Sequence, residues 1–171
     1  MGSDSILSER ALREIYLKGF EIAVKEGGAR SVMTTYGPVN GLWTSGSYDL
    51  CTTILRKEWG FDGFIMSDFV WGVKDTIEAV NGGQTMEMPN TKYFGEYLVR
   101  AVETGEVSEE VIDDAALRIV RTVLAFDDGQ SKADRKKVGC REHIELALEA
   151  AREGITLIKN DENILPLCKK E

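Results

Sequence analysis

The sequence predicts an α/β fold with parallel strands, and three observations carry that prediction. Short apolar runs alternate along the chain with stretches whose apolar residues recur at three- and four-residue steps, the signature of strands alternating with helices. Phe64-Ile65-Met66 is apolar without alternation, as a strand buried on both faces should be. Glycine and proline punctuate the joins at Gly27-Gly28, Gly60-Phe61-Asp62-Gly63, Asn81-Gly82-Gly83 and Pro89. Three or four strands are visible in the 171 residues. A complete (β/α)8 barrel takes roughly 250 residues. A small open α/β domain and part of a barrel both fit.

The elements follow in order. Ser8 can cap a first helix, with Glu9 in its first turn and an apolar stripe through Leu12, Ile15, Tyr16, Phe20, Ala23 and Val24. Ser31 to Thr35 is β-prone and ends in the loop chemistry of 36–41. A helix is expected over Asp49 to Trp59, with Leu50, Ile54 and Leu55 on one side. The strand 64–66 ends abruptly in Ser67-Asp68. A short helix is expected over 73–80 and a third strand over 84–88. Phe94, Tyr97, Leu98, Ala101 and Val102 stripe the next helix, which Gly105 ends. Ser108 caps another, with Val107 and Ile112 placed as a hydrophobic staple and a stripe through Ala115, Ala116, Ile119, Val123 and Leu124. The polar stretch 127–139 reads as a linker. A helix through Ile144, Ala147, Leu148 and Ala151 follows, and then a strand, Ile155-Thr156-Leu157-Ile158.

Composition removes several function classes. The hydrophobic share of 43% and charged share of 29% are those of a soluble globular protein. A run of about 18 apolar residues, which a membrane span needs, is missing from the sequence. The net charge of −8 repels phosphate backbones, so nucleic acid is not an expected partner. Met1-Gly2-Ser3-Asp4-Ser5 lacks the basic start and long apolar stretch of a signal peptide. Cys51, Cys140 and Cys168 are widely spaced, which argues against a zinc site and points to free thiols in a reducing, cytoplasmic compartment. The single histidine, His143, stands in a polar helix start, where a surface or capping role fits better than catalysis.

Two strands end in loops that could carry chemistry, 32–36 and 64–68. In barrels the active site gathers at the C-terminal ends of the strands. Asp68 followed by Phe69-Val70-Trp71 is a carboxylate beside aromatic surface, and sugar rings offer apolar C–H faces and hydroxyl edges to such a wall. The competing reading makes Asp68 a cap for the helix at Val73, with the aromatics filling core. Pattern alone favours that second reading.

The stretches Ser31-Val32-Met33-Thr34-Thr35-Tyr36 with Val39-Asn40-Gly41, and Leu55 through Trp59-Gly60-Phe61-Asp62-Gly63-Phe64-Ile65-Met66-Ser67-Asp68-Phe69, resemble glycoside hydrolase family 3, the β-glucosidase and β-xylosidase type. Ser8 to Tyr16, Met86-Glu87-Met88-Pro89 and His143 to Leu167 match in the family's order. The resemblance implies the C-terminal half of a (β/α)8 barrel over 1–126, a linker over 127–141, and over 142–171 the opening helix and strand of a second α/β sandwich domain. It implies retaining hydrolysis of terminal β-D-glycosides, with Asp68 as the nucleophile that forms a covalent glycosyl-enzyme. Tyr36 matches a tyrosine near the nucleophile, Met33 a residue lining its subsite, and Phe69 an aromatic packing against the sugar. Trp71 is an added candidate for the same wall.

A small β-glucoside or β-xyloside is the implied ligand, with neither metal nor organic cofactor. Gly37, Gln84 and Thr85 depart from the family pattern. Glu87 ends a strand, but the family does not use that glutamate as the acid/base, and a buried hydrogen-bonding role is expected of it. The family's sugar-gripping residues lie in the first barrel half and its acid/base in the second domain. The chain alone is therefore expected to be inactive and to associate with itself or with the rest of its parent. The alternative is a non-catalytic chain that acts as a sugar-binding or assembly module.

Overall fold

A computed structural model describes residues 3–127 and 134–167 and divides into two compact units, Met1–Asp128 and Gly129–Glu171. In the first unit, Glu9–Ala11, Leu12–Tyr16 and Lys18–Lys25 form one helical run, α1. Ser8 caps it by accepting the Ala11 N–H at 3.2 Å. Its middle turn opens to a five-residue spacing, where the Leu17 N–H bonds the Leu12 carbonyl (2.8 Å). The widened turn rotates the later residues out of a 3.6-residue phase. Leu12 is buried, while Ile15, Tyr16 and Phe20, expected on the inner stripe, are exposed; Tyr16 and Phe20 still line the same apolar cavity as Leu12.

The centre of the unit is a parallel pair. Strands β1 (Ser31–Met33) and β4 (Phe64–Met66) run in register, with Ser31 opposite Phe64 and Met33 opposite Met66. Between them lie a hairpin, β2 (Pro38–Val39) with β3 (Leu42–Trp43), and helix α2 (Asp49–Glu58). The hairpin replaces the plain loop expected at 36–41. Asn40 (φ 51°) and Gly41 (φ 84°) supply the two left-handed residues that such a tight turn requires. Helix α2 buries Cys51, Ile54 and Leu55; together with Phe61 and Ile65, Cys51 and Leu55 form an apolar cluster against which Val24, Val32 and Trp59 pack. The expected strand 84–88 pairs with β4 only through a Met66–Met86 parallel bridge.

Helix α3 (Thr76–Gly82) starts later than the sequence suggested. Asp75 caps it, accepting the Glu78 N–H at 2.8 Å, so Asp68 is not the capping residue. Helices α4 (Glu96–Glu103) and α5 (Glu109–Phe126) complete the unit. Val80, Ala101 and Val107 are buried together, with Phe94, Leu98, Val102, Val111 and Ile112 packed on them. Tyr97, placed on that stripe by its spacing, points outward at 57% exposure. Ser108 stands at the N-cap position of α5 but its hydroxyl makes no capping bond.

On α5 the inner line ends in Thr122, while Val123 and Leu124 are exposed, contrary to the expected stripe. Polar ties set that rotation. Arg118 donates to Asp114 (2.7 Å) and to the Phe61 carbonyl (3.3 Å), and Arg56 reaches both Asp114 (3.6 Å) and the Gly83 carbonyl (2.6 Å).

The second unit carries helix α6 (Arg141–Gly154), on which His143 is exposed. The strand expected at 155–158 does not form. Ile155, Leu157 and Ile158 are 78, 60 and 93% exposed. A strand exists only as part of a ladder, and no described segment pairs with this one. Part of the expected linker, and Cys168, lie outside the described residues. Among those described, no helix is long and apolar enough to cross a membrane.

Burial pushes the Cys51 thiol up to about 12, with Arg56 opposing weakly. Cys140 is only half-buried. A thiol-disulfide reagent at pH 8 is expected to modify Cys140 quickly and Cys51 only on unfolding; rapid native-state labelling of Cys51, read by peptide mass, would contradict this packing.

Candidate active site

Parallel pairing in register puts the C-terminal ends of β1 and β4 at one edge. The Thr34 N–H continues the pairing to the Met66 carbonyl at 3.0 Å. Tyr36 stands three residues past β1 and Asp68 two residues past β4, so both project from that edge. The Tyr36 hydroxyl donates to the Phe69 carbonyl at 2.8 Å. Partial burial raises the Tyr36 phenol above its ordinary value, and the neighbouring Asp68 carboxylate raises it further. The phenol is therefore held protonated, as a hydrogen-bond donor, at neutral pH. Asp68 is half-buried, and one of its oxygens accepts the Phe69 N–H at 2.7 Å.

The aromatic surroundings are open. Phe69 and Trp71 are 55 and 57% exposed. The rings of Tyr36 and Trp71 lie 6.5 Å apart, tilted by 57°. Half-open aromatic faces around a fixed carboxylate can cover the C–H face of a sugar. Met33 is placed differently. It lines an apolar cavity of about 520 Å³ with Leu12, Phe20, Val32, Leu50 and Ile54, and Tyr36, Asp68, Phe69 and Trp71 are not in that lining. The structure thus gathers four of the five sequence candidates at one strand edge and sets Met33 on a neighbouring apolar surface.

Glu87 is buried, and its carboxylate accepts the main-chain N–H groups of Tyr93 (2.8 Å) and Phe94 (2.9 Å). Both bonds fix the segment that enters α4. Among the described residues, no group of three or more His, Cys, Asp or Glu is arranged to hold a metal ion.

Residues 5–122 match the family model described as Glycosyl hydrolase family 3 N terminal domain. The chain belongs to glycoside hydrolase family 3. "Probable beta-glucosidase I" of Aspergillus flavus is 42% identical over 175 residues, covering 100% of this chain and 21% of that protein. A beta-glucosidase of Ruminococcus albus is 72% identical over 72 residues, which are 42% of this chain and 8% of that one. Beta-glucosidase 3B of Thermotoga neapolitana, solved in complex with alpha-D-glucose, superposes with a TM-score of 0.75 at 36% identity, covering 96% of this chain and 24% of that one. The chain therefore shares the α/β fold of family 3 β-glucosidases and spans about a fifth of the length of the first curated relatives it matches.

Gln84 and Thr85 stand in the sequence only as departures from the family pattern. In the structure both are buried ties. Gln84 donates to the carbonyls of Ile65 (3.3 Å) and Met86 (2.9 Å) and accepts from the Thr34 hydroxyl (3.1 Å). The Thr85 hydroxyl accepts the Ile65 N–H at 2.7 Å and donates to the Ile65 carbonyl at 2.6 Å. Gln84 and Thr85 are buried, and buried polar side chains are hydrogen-bonded.

Removing Glu87 tests its structural role. Glu87→Ala leaves two main-chain donors without a partner and is expected to lower unfolding free energy by about 2 kcal/mol in urea. A change under about 0.5 kcal/mol would contradict that role, since the loss of partnered buried groups costs more.

Proposed function

We propose that the chain is the nucleophile-bearing part of a retaining β-glucosidase, with Asp68 as the attacking carboxylate. The observation that carries this reading is the joint placement of Asp68, Tyr36 and the Phe69–Trp71 aromatics at the shared C-terminal edge of β1 and β4. Asp68 attacks the anomeric carbon as the leaving oxygen departs, giving a covalent glycosyl ester. Water then attacks the same carbon, and the carboxylate leaves with the configuration retained. Tyr36 steadies the turn that carries Asp68. Phe69 and Trp71 pack against the sugar, and Met33 lines an adjoining subsite.

Retaining chemistry places its two carboxyls about 5 Å apart. Glu87 is engaged by main-chain donors and does not serve as the acid/base, and the family resemblance implies that this group comes from outside the chain. In this reading β1 and β4 belong to the later half of a (β/α)8 barrel, and the remainder of that barrel covers the apolar cavity beside Met33. Residues 142–171 open the next domain. A chain lacking both the acid/base and the sugar-gripping half should bind sugar weakly and turn over almost nothing. An assembly or sugar-binding role for the isolated chain rests on the same incompleteness.

Hydrolysis of a nitrophenyl β-glucoside by a complete enzyme carrying these residues tests the reading. Asp68→Asn should lower kcat by at least about 10⁴-fold with the fold intact, because the amide cannot form the glycosyl ester. Azide should partly restore turnover in Asp68→Gly and give the inverted glycosyl azide. Near-normal turnover in Asp68→Asn would overturn the assignment.

A further inference from the structure

We propose that Ser67 is a positioning residue for Asp68: its hydroxyl clamps the turn that carries the carboxylate to the main chain of Met88. The inference rests on Asp68 being the nucleophile, and it concerns how that carboxylate is held. Ser67 is 2% exposed, and its hydroxyl is bonded on both sides to main chain. It accepts the Met88 N–H at 2.9 Å and donates to the carbonyl of Asp68 itself at 3.0 Å. On the far side of Asp68, the Val70 N–H donates to the Met88 carbonyl at 2.8 Å. The peptide groups of Met88 thus grip the turn at 67 and at 70 and bracket the nucleophile.

Two further features show that the turn is pressed into place. Val70 has φ 69°, a left-handed conformation that a β-branched residue adopts only when its surroundings impose it. Gly72 folds back onto the main chain of Asp68. A Cβ there would stand 2.5 Å from the Asp68 carbonyl oxygen, 2.6 Å from its nitrogen and 3.0 Å from the Ser67 Cβ. No side chain fits between them. The turn is held by Met88 through the Ser67 hydroxyl and pressed by the Gly72 backbone.

Such a clamp matters for rate more than for binding. When the hydroxyl is removed, the Val70 N–H bond to the Met88 carbonyl still holds the part of the turn that carries Phe69 and Trp71, but the attacking oxygen loses its fixed distance to the anomeric carbon. A displacement on the order of 1 Å costs about 100-fold in rate.

The test is steady-state kinetics of Ser67→Ala and Ser67→Cys in the complete enzyme, with Asp68→Asn assayed in parallel. Both Ser67 variants should lose about 10- to 100-fold in kcat, with KM within about threefold of the parent, as expected when an interaction of the transition state is removed. The cysteine variant, which keeps the side-chain size but bonds weakly, reads the same quantity should the alanine variant fail to fold. A kcat within twofold of the parent in a folded Ser67 variant, while Asp68→Asn is inactive, would overturn the clamp and leave the nucleophile in place. A raised KM at unchanged kcat would also overturn it. An active Asp68→Asn would instead sink the reading on which the clamp rests.

Discussion

The rest of this structure depends on Ile65, a fully buried residue whose main chain is tied on both sides. Its side chain sits in the cluster with Cys51, Leu55 and Phe61, and β1 pairs with it through Val32. Its N–H and carbonyl are both taken by the Thr85 hydroxyl, and its carbonyl also receives Gln84. A strand fixed in this way cannot slide, because a one-residue slip would break these bonds and leave buried polar groups unpaired. Asp68 emerges three residues later, so its position is inherited from the core. The half-open carboxylate stands on rigid elements, as a reacting group must.

The same logic explains why the neighbourhood is polar on one side and aromatic on the other. Thr34, Ser67, Gln84 and Thr85 are buried and tie the strand ends together, and buried Glu87 fixes the segment that enters α4. Phe69 and Trp71 stand exposed beyond them. One set fixes geometry; the other is free to meet a ligand. Tyr36 joins the two, bonded to the turn through its hydroxyl and facing Trp71 with its ring.

The sequence made part of this legible. A strand buried on both faces writes a continuous apolar run, and its abrupt end in Ser67-Asp68 marked the edge where chemistry could sit. Asn40-Gly41 carries a hairpin signal, because both residues take up the left-handed conformation that a two-residue turn needs. Other features depend on partners that the local pattern does not contain. Ile155 to Ile158 has the composition of a strand and no described partner to pair with. The Arg118 and Arg56 ties of α5 reach main-chain groups far along the chain, and no 3.6-residue count reveals them. Gln84 and Ser67 were visible as letters, but their work lies in bonds to main-chain groups about twenty residues away.

The central claim is that the Asp68 carboxylate forms a bond to the sugar. A 2-deoxy-2-fluoro-β-glucoside with a good leaving group tests it most directly. Fluorine at C2 slows both steps by disfavouring the positively charged transition state, and the leaving group restores the first step alone, so the ester accumulates. Digestion and mass mapping of the inactivated complete enzyme should place the fluoroglucosyl group on Asp68. An adduct on any other carboxylate, with Asp68 unmodified, would contradict the account.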